Sequence, residues 1–216
     1  MLSPGERAAL RLFVSEWQIS RNHRRGVRLL CQTSRLRPAR LNLGAGGVCK
    51  EGFLNVDLFP GSDVTLDLRR GLPFESDCCD LIVTEHFLEH LEYPEQVSLV
   101  LRECLRVLRP GGTVRLSVPD TAWPLSAYHE GIKSPYFQAC REQPWGHPEQ
   151  CETRLEFINH HFYQRGEHRF AYDWETLEKL LVTVGFQKVT KCGFDPTLDA
   201  AHRRLGSLFV SAYKQP

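Results

Sequence analysis

The chain has 216 residues, enough for one domain with a full core, and its make-up of 42% hydrophobic and 25% charged residues is that of a globular protein. No apolar run approaches the roughly 20 residues of a membrane span, and the N-terminus lacks the apolar core of a signal peptide, so the expected compartment is the cytoplasm. Net charge is only +1, yet residues 1–40 hold nine Arg and two Glu, a local +7 that leaves −6 on the other 176. Such asymmetry can steer an anionic acceptor, a nucleic acid or a membrane surface to one end, or it can mark a solvated helix face.

The chain opens with Ser3-Pro4-Gly5-Glu6, a cap residue, a first-turn proline and an early acid. Leu10, Phe13, Val14 and Trp17 then recur at helical spacing, which predicts a short amphipathic helix packed by that face, followed by the basic run Arg21 to Arg28. Residues 1–40 thus read as a basic helical lead-in.

Short strands follow over Leu41–Leu43, Phe53–Asp57, Val64–Leu66 and Asp80–Glu85. A helix carries Val97, Val100, Leu101, Cys104 and Leu108 on one face, with Pro110-Gly111-Gly112 as its stop and Thr113–Val118 as the fifth strand. Residues 120–172 read as an irregular insertion, rich in His, Pro and aromatics; Trp123, Tyr128, Tyr136, Phe137 and Trp145 are expected to line or cover an acceptor pocket, or to form a small core. Asp173 caps a last helix through Trp174, Leu177, Leu181 and Val184, stopped by Gly185. Gln187–Cys192 and Ser207–Lys214 close the chain as an antiparallel edge hairpin. The predicted architecture is a single α/β domain over 1–216, with a Rossmann-like, mostly parallel sheet covered by helices on both faces.

Eight cysteines, among them adjacent Cys78 and Cys79, show no C-x-x-C pair and no regular framework, so reduced core thiols are expected.

The chemistry concentrates after the first strand. Gly44-Ala45-Gly46-Gly47 forms a turn whose glycines admit close approach of a ligand at the carboxyl end of the sheet. Asp57 ends the second strand and can accept both hydroxyls of a ribose; Asp67 ends the third and can meet an adenine edge. A dinucleotide oxidoreductase would need a helix opening at this turn to hold a pyrophosphate. Only Val48 to Gly52 separates turn from strand, too short for that helix, so the spacing disfavours NAD.

These segments resemble the class I S-adenosylmethionine-dependent methyltransferases, in a compact type 11-like subgroup. Asn42-Leu43-Gly44-Ala45-Gly46-Gly47 resembles motif I, and Asn55-Val56-Asp57-Leu58 its ribose-binding partner. Asp67-Leu68-Arg69-Arg70 resembles the adenine-side segment, and Asp80 to Leu91 the fourth-strand motif. Leu105 to Gly112 followed by Val114 to Asp120 is the most specific match, and the resemblance covers 41–120 in order. His168-Arg169-Phe170-Ala171-Tyr172-Asp173 is similar to the subgroup's closing segment.

The resemblance implies S-adenosylmethionine as cofactor, bound by Asn42, Gly44, Ala45, Gly46, Asp57, Leu58, Asp67, Leu68, Glu85, His86 and His90. Asn42 stands where many members carry an acid. Candidate catalytic residues are His86, Asp120 and His168, and no metal is expected: His160, His161 and His168 lack a usual zinc spacing. The expected activity is in-line methyl transfer to an O or N atom of a small-molecule or saccharide-like acceptor. The alternatives are a nucleic-acid or protein acceptor met by the basic N-terminus, an inactive donor-binding protein, and, behind these, an NAD-dependent reductase.

Overall fold

The computed structural model describes residues 2–33, 35–142 and 151–216; Trp145 lies outside them. Its first helix, α1 (Pro4–Gln32), begins with a reciprocal cap in which Ser3 and Glu6 exchange side-chain-to-backbone hydrogen bonds of 3.2 and 2.7 Å. The Arg run lies inside this helix, because arginine is a good helix former and no breaker intervenes.

The expected packing face of α1 is corrected. Leu10, Phe13, Val14 and Trp17 are 52, 69, 43 and 51% exposed. The helix is held instead through Ile19, Gly26 and Leu30. Gly26 decides the side: a Cβ there would stand 2.2 Å from the Thr65 carbonyl oxygen, so only glycine lets the helix come so close.

One seven-stranded sheet has the order β3-β2-β1-β4-β5-β7-β6. The strands are β1 (Arg40–Leu43), β2 (Leu54–Asp57), β3 (Val64–Thr65), β4 (Cys79–Glu85), β5 (Leu108–Pro119), β6 (Gln187–Cys192) and β7 (Ser207–Tyr213). All neighbouring pairs among β1 to β5 are parallel, and β7 runs antiparallel to both β5 and β6, giving the expected edge hairpin. Chain order reverses between β1 and β4, and ligands of such sheets bind in the crevice outside the carboxyl ends at that switch point.

Helix α2 (Glu95–Val107) buries Val97, Val100, Leu101, Cys104 and Val107. The Pro110-Gly111-Gly112 segment, read from sequence as the stop of this helix, belongs to β5, which starts at Leu108 and pairs Cys79 with Leu108 before a register shift to Leu81 and Thr113. Helix α6 (Trp174–Val184) has the expected ends: Asp173 Oδ1 accepts the Thr176 N–H at 2.9 Å, and Gly185 takes φ 115°.

The described residues of the stretch 120–172 are largely helical. They form α3 (Ala122–Glu130), α4 (Pro135–Glu142) and α5 (Arg154–Tyr163). Ala127, Tyr136, Phe137, Cys140, Phe157 and Ile158 form a second core there, with Trp123 packed against it. The aromatics satisfy one another locally, so the insertion builds its own hydrophobic nucleus. Cys78, Cys79 and Cys104 are buried in the main core and Cys140 in the second, as small hydrophobes. Among the described residues no helix is long and apolar enough to cross a membrane.

Candidate functional site

The glycine turn after β1 is fixed from three sides. Gly44 has φ 68° and lies under Phe87, whose Cβ and Cγ a new Cβ would meet at 2.6 Å. Asp57 Oδ2 accepts the Gly46 N–H at 2.8 Å, while Oδ1 accepts the Phe59 N–H at 2.9 Å. Asn42, 2% exposed, donates from Nδ2 to Asn55 Oδ1 at 2.9 Å and to the Val48 carbonyl at 3.0 Å. Both amide hydrogens of Asn42 are thus spent holding the turn. No helix forms between this turn and β2, as the short spacing required.

A cavity of about 660 Å³ opens at the carboxyl ends of β1, β2 and β4, a volume in the range of small-ligand sites. Its wall contains every residue expected to hold the cofactor, from Asn42 and the turn through Asp57, Leu58, Asp67 and Leu68 to Glu85, His86 and His90. Of the candidate catalytic residues only His86 lines it. Asp120 instead turns back on its own chain, accepting the Ala122 N–H at 3.1 Å. Of the insertion's aromatics, none of Trp123, Tyr128, Tyr136 and Phe137 lines this cavity, and the small-core alternative is the one observed. They belong to the insertion around the second core, and Tyr128 is exposed.

Asp67 is 3% exposed and bonds Arg69 Nε at 2.8 Å and Arg70 Nε at 3.2 Å. Burial alone would raise its pKa, but the bonds from Arg69 outweigh that and hold the carboxyl below its ordinary value. Arg69 extends the chain of charges to Glu16 of α1 at 3.1 Å. His23 of the same helix accepts the Asp67 N–H on Nδ1 at 3.2 Å. The Asp67 carboxylate therefore has its acceptor positions engaged by arginine.

His86 sits at φ 49°, an uncommon conformation for a residue with a side chain. Its Nε2 lies 2.7 Å from Ser207 Oγ, and Nδ1 lies 3.5 Å from the Glu89 carboxylate. Burial lowers its pKa well below the histidine norm, which keeps the ring neutral. His168 is likewise pushed down, to about 4, by burial. Its Nδ1 lies 2.9 Å from the His161 carbonyl, and its ring meets that of His90 edge-on at 5.2 Å.

Sequence reasoning missed the partner of Glu85. Lys50 Nζ bonds Glu85 Oε2 at 2.6 Å, the two side chains being 11 and 9% exposed, and also the Leu198 carbonyl at 2.5 Å. Glu85 Oε1 accepts the Ala200 N–H at 2.9 Å. A buried Arg115–Asp199 ion pair ties down the same loop. That loop brings Ala200 and Arg203 into the cavity wall. Lys50 lies three residues past the glycine turn, a cation the spacing could have placed nearby; Arg203 carries no signal in the sequence.

Residues 55–116 match the model of the type 11 methyltransferase domain, a segment running from β2 into β5 that includes Asp57, Asp67, Glu85, His86 and His90. Over this stretch the chain is similar to a methyltransferase domain. No curated protein matches the sequence.

Solved structures of related shape include phosphoethanolamine N-methyltransferase 2 of Haemonchus contortus bound to S-adenosylmethionine, at 12% identity and TM-score 0.48. The alignment covers 82% of this chain and 48% of that one, so the chain spans about half its length. A possible histamine N-methyltransferase from Thermotoga maritima aligns over 95% and 96% of the two chains, at 14% identity and TM-score 0.47. A methyltransferase from Archaeoglobus fulgidus aligns over 94% and 99%, at 16% identity and TM-score 0.49.

Proposed function

We propose that the cavity binds S-adenosylmethionine and that the protein transfers its methyl group to an O or N atom of a small-molecule or saccharide-like acceptor. One observation carries this reading: the residues expected to hold the cofactor, scattered over four sequence segments, converge on a single cavity at the switch point of the sheet. The donor set fits the group. Asp57 offers carboxylate oxygens at the end of β2 for a ribose, and the backbone beside Leu68 suits an adenine edge. Open space beside Gly46 and Gly47 admits a ligand against bare backbone. With no helix opening at the turn, a pyrophosphate would have no anchor, which favours a sulfonium donor over NAD.

Bound there, S-adenosylmethionine supplies an already activated methyl group, and its departure leaves a neutral thioether. The work left to the chain is therefore alignment and exclusion of water. His86, neutral and held by Ser207, is the residue assigned to face the transferred group and to take a proton from a hydroxyl acceptor. Asp120 and His168, outside the cavity wall, are assigned to the acceptor's approach.

Calorimetry with S-adenosylmethionine and its demethylated product tests the reading. Asp57→Ala should weaken binding about 100-fold, the loss of two charge-assisted hydrogen bonds at about 1.5 kcal/mol each. Absence of wild-type binding at millimolar donor, or nicotinamide-cofactor binding in its place, overturns it.

A second reading has its own observation. Arg21, Arg24, Arg25 and Arg28 are all exposed on α1 and, among the described residues, none is in an ion pair. An anionic polymer such as RNA would use them. Salt-sensitive RNA binding lost on replacing all four with Ala would favour that acceptor class.

A further inference from the structure

Beside the cavity, the short 3-10 turn Leu88–His90 carries a buried carboxyl group with no hydrogen-bond partner among the described residues. Glu89 is 1% exposed, and neither of its oxygens has a hydrogen-bond partner. Among the described residues the only basic group within 4 Å is His86 Nδ1, at 3.5 Å. Arg203 shares the neighbourhood and lines the cavity, yet makes no ion pair with Glu89. A buried carboxylate in this condition is costly, because the water it has lost is not replaced by hydrogen-bond donors.

Two imidazoles stand next to it. The Arg169 N–H donates to the Glu89 carbonyl at 2.7 Å, which draws His168 alongside the turn. One ligand atom each from Glu89, His90 and His168 lie within 4.8 Å of one another. The orientation of both rings is set from behind. His90 Nδ1 lies 3.1 Å from the Glu167 carbonyl, and His168 Nδ1 lies 2.9 Å from the His161 carbonyl. A carbonyl only accepts, so each Nδ1 carries the hydrogen and each Nε2 keeps its lone pair. Metal-binding histidines are tautomer-fixed by such outer hydrogen bonds.

We infer that Glu89, His90 and His168 form a divalent-metal site of two imidazoles and one carboxylate, at the edge of the cavity assigned to the methyl donor. The nitrogen-rich set selects Zn²⁺, Co²⁺, Mn²⁺ or Fe²⁺ over Mg²⁺ and Ca²⁺. Three protein ligands leave coordination positions open, as in catalytic sites, and His90 lines the cavity wall. The role rests on the methyl-transfer reading above: an acceptor hydroxyl bound there would lose its proton to His86, its oxygen forming the new C–O bond as the C–S bond of the sulfonium breaks to leave a neutral thioether.

The test uses the full chain, stripped with chelator and titrated with Co²⁺, whose visible absorption reports its coordination. One Co²⁺ per chain is expected, displaced by Zn²⁺. Glu89→Gln and His168→Ala should each weaken binding at least about tenfold, while His129→Ala, an exposed histidine on α3, should not. Pulsed electron paramagnetic resonance of the Cu²⁺-loaded wild type should register two imidazole nitrogens, a readout that requires no variant to fold. A featureless wild-type titration, one or no coordinated nitrogen, or variants that bind like wild type overturn the site. Thermal shift with S-adenosylmethionine, run in parallel, separates the inferences: metal bound without donor would refute methyl transfer and leave the site standing.

Discussion

Replacement of Gly44 by alanine concentrates the logic of the donor turn in one methyl group. At φ 68° an alanine occupies the left-handed region at a cost of about 1–2 kcal/mol. The added Cβ would also sit 2.6 Å from Phe87, inside contact distance, and relieving such overpacking costs about 1–3 kcal/mol. The sum, about 2–5 kcal/mol, lowers the melting temperature by about 4–20 °C for a chain of this size. Displacing the turn should weaken S-adenosylmethionine binding at least about tenfold. The two contributions separate in a double-mutant cycle by urea denaturation: Phe87→Ala removes the collision and leaves the dihedral cost, so the pair should show about 1–3 kcal/mol of favourable coupling. Stability of Gly44→Ala within about 0.5 kcal/mol of wild type, or strict additivity with Phe87→Ala, would refute the packing argument.

Three further outcomes follow from the same geometry. Lys50→Met strands Glu85 as a buried charge without its partner and should cost about 3–5 kcal/mol in urea unfolding, with the loop over residues 193–206 becoming the first site of proteolysis. Gly26→Val drives a side chain into the Thr65 carbonyl; α1 should lift from β3, read as faster amide exchange over residues 4–32 and increased protease nicking. His23 has its pKa lowered by burial and by the Arg70 charge, so its contribution is present above its unfolded value near 6.5 and is lost as pH falls from there through the folded value. Stability should therefore decline on acidification below pH 6.5, and His23→Gln should flatten that part of the pH curve; an unchanged slope would show that the His23 bond to Asp67 contributes nothing.

The sheet was legible because its strands are short, apolar and separated by turn residues, and the donor turn because glycine at Gly44 and Gly46 is demanded by backbone geometry. Helix α1 was misjudged in an instructive way. Periodicity finds an apolar stripe but not what lies opposite, and the deciding contact belongs to Gly26, which has no side chain to count. Residues 120–172 defeated the reading because their helices are short and serve a local core whose pattern is blurred by His and Pro. At the site, the residues on the wall came from strand ends, where spacing is rigid. The partners of Glu85 and the isolation of Glu89 depend on contacts between residues up to 148 positions apart, which no local pattern records.

That separation bears on the order in which the protein is made. The Lys50 ammonium grips the Leu198 carbonyl, and the Ala200 N–H closes on Glu85, so part of the cavity wall arrives only with the segment between β6 and β7. Ribosomal synthesis delivers β1 through β5 first, and long-range closure of this kind is slow relative to local contacts. A nascent chain thus displays the glycine turn and Asp57 long before it owns a finished pocket. The capacity to hold the donor switches on late, as the final strand inserts between β5 and β6.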